Sequence, residues 1–296
     1  MTDGRAILIP RPPFPSPVGL LIRFAGQFVA GEEIEDAVRE AKAANDRRYF
    51  AILNLLGEHY AEKGPVEATL KEYHRILDAI EKEKLRASIS VKPSQCGLEF
   101  GRAYCESMVV PLFDRVRAMG GFLWIDMEGS RFTDDTLALY EGLHRRHHDV
   151  GVCLQANLKR TPKDLERLLE LGGKVRLTKG AYREPPEIAH RTRVELDAAF
   201  GRLLRTLFEN GDRFAVATHD GTFVNQAIEL SKTHKRLWEF QMLKGVREPL
   251  KRELVMKGFR VVEYIPYGPN WLPYFLRRLR ERPRNVFTMM RSFVQG

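Results

Sequence analysis

At 296 residues, 44% hydrophobic and 29% charged, the chain can bury a large core, and its length suits one α/β barrel or two smaller domains. It holds no run of about 18 apolar residues, and the apolar stretch from Val18 to Ala30 is broken by Arg23 and Gln27, so neither a spanning helix nor a signal peptide is expected. The formal net charge of +9 would suit nucleic acid or an anionic membrane, but from residue 251 onward ten Lys/Arg face three acids, so a surplus of seven sits in the last segment.

In chain order, the proline-rich stretch Arg11-Pro12-Pro13-Phe14-Pro15 reads as an irregular arm and Glu32–Ala43 as an amphipathic helix. Beyond them, short apolar runs alternate with helical patterns. The predicted strands are Phe50–Leu55, Ala87–Val91, Phe122–Met127, Gly151–Leu154, Lys174–Thr178, Phe214–Thr218, Leu237–Gln241 and Phe259–Ile265. The predicted helices that follow them are Glu67–Lys82, Tyr104–Ala118, Asp134–Arg146, Pro162–Leu171, Glu195–Glu209, Phe223–Thr233, Arg247–Lys257 and Leu272–Arg280. Eight strand–helix units fit a parallel sheet with right-handed crossovers. Eight also favour closure into a (βα)8 TIM barrel over an open doubly wound sheet, although both give the same alternation. No G-x-G-x-x-G follows the first strand and no G-x-x-x-x-G-K-[ST] occurs, so a Rossmann unit and a P-loop lack support. The expected organisation is a short N-terminal helical arm over residues 1–46 and a barrel over residues 47–296.

In a barrel the active site forms where strands end and the following loops begin. Ser90-Val91-Lys92 closes the second predicted strand with a lysine, and Ile125-Asp126-Met127-Glu128 the third with two carboxylates. Leu154-Gln155 closes the fourth, Arg176-Leu177-Thr178-Lys179-Gly180 the fifth and Thr218-His219-Asp220 the sixth. Glu239-Phe240-Gln241 closes the seventh and Tyr264 the eighth. Strands must emerge into water, so one polar end means little; seven of eight point to a site.

In the last predicted helix Tyr274, Arg277, Arg278 and Glu281 fall at i, i+3, i+4 and i+7, one helical face. Paired guanidinium groups there suit a carboxylate or phosphate, which they bind with two parallel hydrogen bonds. The other reading is a solvated basic face with an internal Glu281 pair. The run His144-Arg145-Arg146-His147-His148-Asp149 sits at a helix C-terminus, where basic residues complement the dipole, so no metal site is expected. Cys96, Cys105 and Cys153 have no metal-like spacing and fit free thiols in a reducing cytosol, with Cys153 packed inside an apolar run. H-E-x-x-H, C-x-x-C and G-x-S-x-G are absent, so zinc, dithiol and serine-hydrolase chemistry have no starting point.

Several segments occur in a telling order: Ser90-Val91-Lys92, Trp124-Ile125-Asp126-Met127-Glu128, Val152-Cys153-Leu154-Gln155-Ala156, Val175-Arg176-Leu177-Thr178-Lys179-Gly180-Ala181-Tyr182 and Ala217-Thr218-His219-Asp220. Phe240-Gln241-Met242-Leu243 and the run from Tyr264-Ile265-Pro266-Tyr267-Gly268 through Tyr274-Phe275-Leu276-Arg277-Arg278-Leu279 complete the set. Each alone is weak; in this order the set resembles proline dehydrogenase, in the spacing of the short monofunctional bacterial form without an attached aldehyde-dehydrogenase domain. The resemblance implies a distorted (βα)8 barrel holding non-covalent FAD across the C-terminal ends of its strands. It implies oxidation of L-proline to 1-pyrroline-5-carboxylate in proline catabolism, with electrons passed to a membrane quinone. By the same resemblance, Arg277 and Arg278 clamp the proline carboxylate with help from Lys92, and Asp126 pairs with Lys92. Leu243, Tyr264 and Tyr274 shape the pocket, while Met127, Gln155, Arg176, Thr178, Lys179, Gly180, Thr218 and His219 line the FAD. Asp126 and Arg176 are the implied catalytic groups, Arg176 lying near the reactive edge of the flavin. The implied location is cytoplasmic, with transient peripheral contact at the inner membrane face.

The sequence departs from the family pattern at Asn157 and Lys244, where tyrosine is usual, at Thr178, where an apolar residue is usual, and at Pro93. Other readings compete. One is a flavin-binding pseudoenzyme or a relative with an altered amino-acid substrate. Another is a lysine Schiff-base aldolase on the same barrel, using Lys92 or Lys179, which the nearby Asp126 opposes. A third, a basic barrel that binds nucleic acid or an acidic membrane, leaves the polar strand ends unexplained, so no nucleic-acid partner is expected.

Overall fold

The structure, a computed structural model, describes residues 25–281, with side chains as far as residue 276. The predicted arm at residues 11–15 and the tail after residue 281 lie outside the described residues. Eight parallel strands close on themselves in chain order: β1 (Phe50–Leu55), β2 (Ala87–Val91), β3 (Leu123–Ile125), β4 (Val150–Gln155), β5 (Lys174–Thr178), β6 (Arg213–Val216), β7 (Leu237–Leu243) and β8 (Val261–Tyr267). Helix α1 (Ile34–Asp46) precedes the barrel. A helix then follows each strand: α2 (Lys63–Lys82), α3 (Arg102–Ala118), α4 (Thr133–Arg146), α5 (Thr161–Glu170), α6 (Arg193–Asn210), α7 (Gly221–Thr233), α8 (Glu248–Met256) and α9 (Trp271–Glu281).

β1, β2 and β5 fall where the alternation predicts. β3 is shorter than expected, so Asp126 and Met127 lie beyond it rather than within it. Asp126 still donates its N–H to Val91 O (2.9 Å), but past it the chain leaves the ladder and the Glu128 carboxylate accepts from Ser94 N–H (2.8 Å). β8 lies two residues further along the chain than predicted because it pairs with β1 from Phe50↔Val262 to Leu55↔Tyr267. Tyr264 therefore sits in mid-strand rather than at a strand end, and Arg176 and Gln241 likewise lie within β5 and β7.

Side chains alternate between the barrel interior and the helix-facing side. The helix-facing set packs Leu53, Ile89, Val91, Val175 and Leu177 against Tyr73, Leu112, Phe113, Leu204 and Phe208 in one large core. Burying each such side chain stabilises the fold by about 1.5–3 kcal/mol relative to leaving it exposed. α1 joins this core through Ile34, Ala37, Ala41 and Ala44, packed on β1 and β8. A separate cluster of Ile52, Phe122, Trp124, Ala215 and Val262 fills the barrel interior. Trp124 fits because its partner in register is Gly151, where a Cβ would lie 2.4 Å from the indole ring. A third cluster of Phe28, Val29, Leu56, Val246, Tyr274 and Phe275 ties the chain before α1 to α9.

Candidate active site

Above the apolar plug, the C-terminal ends of the strands surround a cavity of about 610 Å³, within the ~300–1,000 Å³ usual for small-molecule sites. An ion cluster forms its base. Asp126 Oδ1 accepts from Ser90 Oγ (2.7 Å) and from the Arg176 guanidinium, while Oδ2 accepts from Tyr264 Oη (2.7 Å). Arg176 also donates to Ser90 Oγ (3.1 Å) and to Gln241 Oε1 (3.1 Å). It can lie across the interior because its partners in register, Cys153 and Ala215, are small. Its guanidinium rests between the rings of Trp124 (5.0 Å) and Tyr264 (5.6 Å).

Lys92, the first residue past β2, donates to Asn54 Oδ1 (3.1 Å) and stands 3.7 Å from Asp126 Oδ2. The expected Lys92–Asp126 pair is thus present but loose, and the closer cation on the acid is Arg176. Burial pushes the Asp126 carboxyl up, but the charges of Arg176 and Lys92, with the hydroxyl donors Tyr264 and Ser90, outweigh it and hold the group below the usual carboxylate range. Burial and the adjacent Asp126 raise Tyr264 well above an ordinary tyrosine. The acid therefore stays ionised and the phenol protonated across the neutral range.

A second wall rises from β4 to β7. Gln155, the last residue of β4, donates to Glu128 O (2.9 Å) and accepts from Ala181 N–H (3.4 Å). Thr178 donates to Leu154 O (3.1 Å). Lys179 binds Asp197 (2.6 Å) and Asp220 (2.9 Å) and lies 4.8 Å from the centre of the Phe223 ring. Gly180 adopts φ +106°, and a Cβ there would fall 2.1 Å from the Asn157 amide, so only glycine lets the chain turn here. His219 Nε2 accepts from Leu243 N–H (2.9 Å), which leaves that nitrogen without a proton and sets the ring's tautomer.

Every residue given a catalytic, substrate-binding or cofactor-binding role from the sequence whose side chain is described lines this one cavity: Lys92, Asp126, Met127, Gln155, Arg176, Thr178, Lys179, Gly180, Thr218, His219, Leu243, Tyr264 and Tyr274, whereas the strand-end acids Glu128 and Glu239 do not. Arg277 and Arg278 fall in α9, but their side chains lie outside the described residues. The sequence reading missed Asn54 and gave no role to Ala217, Tyr182 and Met242 of the quoted segments, all of which also line the cavity. Asn54 had a signal: it interrupts the apolar run of β1, the one strand whose end offered no polar group to the sequence reading. Cys153, expected to be packed, is buried but faces the cavity; burial pushes its thiol up, which keeps it neutral and a poor nucleophile.

The family model described as proline dehydrogenase matches residues 37–291. Proline dehydrogenase 1 of Bacillus subtilis (strain 168) is 30% identical over 274 residues, which cover 92% of this chain and 91% of that protein. Proline dehydrogenase of Deinococcus radiodurans is 31% identical over 280 residues, covering 92% and 90%. Among solved structures, proline utilization A (PutA) from Bdellovibrio bacteriovorus superposes with a TM-score of 0.82 at 23% identity. That match takes in 88% of this chain and 32% of the longer PutA chain, and shows the shared barrel fold. With a matching family model over most of its length and relatives of similar size, this chain belongs to the proline dehydrogenase family.

Proposed function

We propose that this chain is a flavin-dependent enzyme that oxidises L-proline to 1-pyrroline-5-carboxylate and passes the electrons to a membrane quinone. The observation that carries the reading is the base of the cavity, where two cations, Lys92 and Arg176, face one acid, Asp126. Such a surplus suits a ligand that brings one carboxylate, because a buried charge without a partner is costly. Family membership and the relatives named proline dehydrogenase support proline as that ligand.

The donor set fits FAD. Gln155, Arg176, Thr178, Lys179 and His219 offer polar contacts along one side, and Met127, Cys153, Ala217, Met242 and Leu243 offer apolar surface for a flat ring. FAD, when bound, supplies the acceptor for the hydrogen and electron pair that leave the proline ring. Met127, Gln155, Thr178, Lys179, Gly180, Thr218 and His219 would hold it, with Arg176 the cation within the same cavity. Lys92, with Arg277 and Arg278 of α9, would grip the proline carboxylate by charge-assisted hydrogen bonds. Leu243, Tyr264 and Tyr274 would bound the ring, so that orientation comes from shape. Asp126, held ionised, keeps Arg176 and Lys92 in place rather than taking a proton.

Neither lysine suits a Schiff-base nucleophile, which needs an ammonium desolvated away from acids. Lys179 is bonded to Asp197 and Asp220, and Lys92 lies by Asp126. No helix among the described residues is long and apolar enough to cross a membrane. Quinone would therefore be met by transient peripheral contact from the cytoplasm, which the basic segment after residue 251 would favour.

Protein loaded with FAD should be yellow and should bleach anaerobically when L-proline is added. A colourless protein that takes up no FAD would overturn the proposal, and a yellow protein that stays oxidised with proline would point to an altered substrate. Arg278→Ala should raise KM for proline strongly while FAD stays bound; unchanged proline kinetics would remove the carboxylate clamp.

A further inference from the structure

We propose that Glu239 is a positioning residue for Arg176: from beneath the site it fixes the amide of Gln241, so that the carbonyl end of that amide faces the guanidinium. This rests on the flavin reading above, in which Arg176 is the cation beside the bound ring.

Glu239 and Gln241 are the third and fifth residues of β7, so alternation puts both side chains on the same side of the strand. Gln241 lines the candidate active site, and Glu239 lines a second cavity, of about 250 Å³, at the N-terminal mouth of the barrel. The apolar plug of Ile52, Phe122, Trp124, Ala215 and Val262 lies between the two mouths, and along β7 a polar thread passes it. Glu239 Oε2 accepts from Arg260 Nε (2.8 Å), whose guanidinium lies 3.7 Å from the centre of the Phe50 ring. Glu239 Oε1 accepts from Gln241 Nε2 (2.7 Å), and Gln241 Oε1 accepts from Arg176 Nη1 (3.1 Å). Among the described residues only Gln241 and Arg260 bond to Glu239; Arg86 and Arg213 share its cavity without an ion pair to it. Gln241 and Arg176 are both buried, so neither can turn to water for a partner.

The thread has a direction. A guanidinium only donates and a carboxylate only accepts, so the Gln241 amide between them fits one way round. A second amide at position 239 would break this order while keeping the shape. Its carbonyl could serve Gln241 or Arg260, but not both, and a charge-assisted bond to Arg260 is the stronger. Gln241 would then face an NH2 group, turn its own carbonyl down to it, and present its NH2 to Arg176. Gln241 is the acceptor on Nη1 of Arg176, whereas Ser90 and Asp126 both sit on Nη2. Without it the guanidinium can pivot about Nη2 between the rings of Trp124 and Tyr264. Glu239 thereby fixes how Arg176 lies in the cavity without touching it.

The test uses the FAD-loaded full chain. Glu239→Gln should lower kcat about tenfold, the scale of one hydrogen bond to a charged group. It should also move the reduction equilibrium of bound FAD about tenfold towards the oxidised form, ~30 mV for a two-electron couple, because a cation beside the ring favours the reduced form. KM for proline, whose carboxylate is gripped by Lys92, Arg277 and Arg278, should change less than about twofold. Arg260→Ala alone should leave kcat, KM and the potential within about twofold, since Glu239 still accepts from Gln241. Added to Glu239→Gln, the same Arg260→Ala change should restore kcat and the potential, because the new amide is then free to turn its carbonyl to Gln241. Should Glu239→Gln fail to fold, Gln241→Met takes its place and removes the link itself, with the same losses expected. Unchanged kcat and potential in either variant, or no recovery when Arg260→Ala is added, would overturn the role given to Glu239. Wild-type protein that takes up no FAD would instead overturn the flavin reading.

Discussion

Two ion clusters lie on opposite sides of the barrel wall. Outside it, between α8 and β8, Lys251 is fully buried and binds Glu263 and Glu248, while Arg47 reaches Glu263 at 3.2 Å. Inside it, Lys92 and Arg176 share one acid, Asp126, and their remaining bonds go to the neutral groups of Asn54, Ser90 and Gln241. The outer cluster has two cations and two acids, with Arg47 and Glu248 partly open to solvent. The inner one has a cation in surplus and opens on about 610 Å³ of space. Desolvation explains the contrast. A fully buried ammonium such as Lys251 needs acids bonded to it, whereas a cluster at a cavity can leave one charge for a ligand to balance. Charge balance thus separates scaffold from site where residue types alone do not.

The contrast breaks if the outer cluster proves dispensable. Lys251→Met leaves Glu263 buried beside one cation, and the unfolding free energy should drop by about 3–5 kcal/mol in urea titrations, with KM for proline unchanged in the folded fraction. A loss of only a few tenths would mean that balance there matters little.

The inner cluster should show the reverse pattern. Asp126→Asn should lower kcat/KM for proline by about two orders of magnitude, the usual size when one preorganised charge is lost at a reacting centre, while FAD stays bound. Full activity would make the acid merely structural.

Acidification sharpens the same point. The Asp126 carboxyl is held below its ordinary value, so its contribution to stability is complete above about pH 4 and is lost as pH falls through the depressed folded value. The stability gap between wild type and Asp126→Asn should therefore narrow as urea titrations move from pH 6 towards pH 3. A gap constant with pH would show that the ionised form gains nothing in the folded chain.

The smallest effect belongs to an exposed pair. Lys232 and Glu229 on α7 are bonded at 2.7 Å but solvated, and Lys232→Ala should change stability by less than about 0.5 kcal/mol in the same titrations.

Much of this was legible in the chain itself. The alternation of short apolar runs with helical patterns predicted eight strand–helix units, because a parallel sheet buries both faces of its strands and needs a helix at each crossover. The lysine, aspartate, glutamine, histidine and arginine near the strand ends marked one mouth, and the thirteen candidates with described side chains share its cavity. Less legible was depth. Arg176 and Tyr264 read as strand ends, but pairing along the full length of β1 and β8 and the small neighbours of β5 put them inside the barrel.

Periodicity determined the alternation of strands and helices and favoured the (βα)8 class over an open sheet, and local order along the chain picked out the residues that face the mouth, since both depend on a few neighbouring positions. Which acid meets which cation was settled only by closure of the barrel. Asp126, just past β3, and Arg176, in β5, are fifty residues apart at strands that do not pair with each other, and Asn54 meets Lys92 across thirty-eight. Such distances in sequence carry no periodic signal. They are fixed by strand stagger and by the space that Gly151, Cys153 and Ala215 leave for larger side chains, which no single segment encodes.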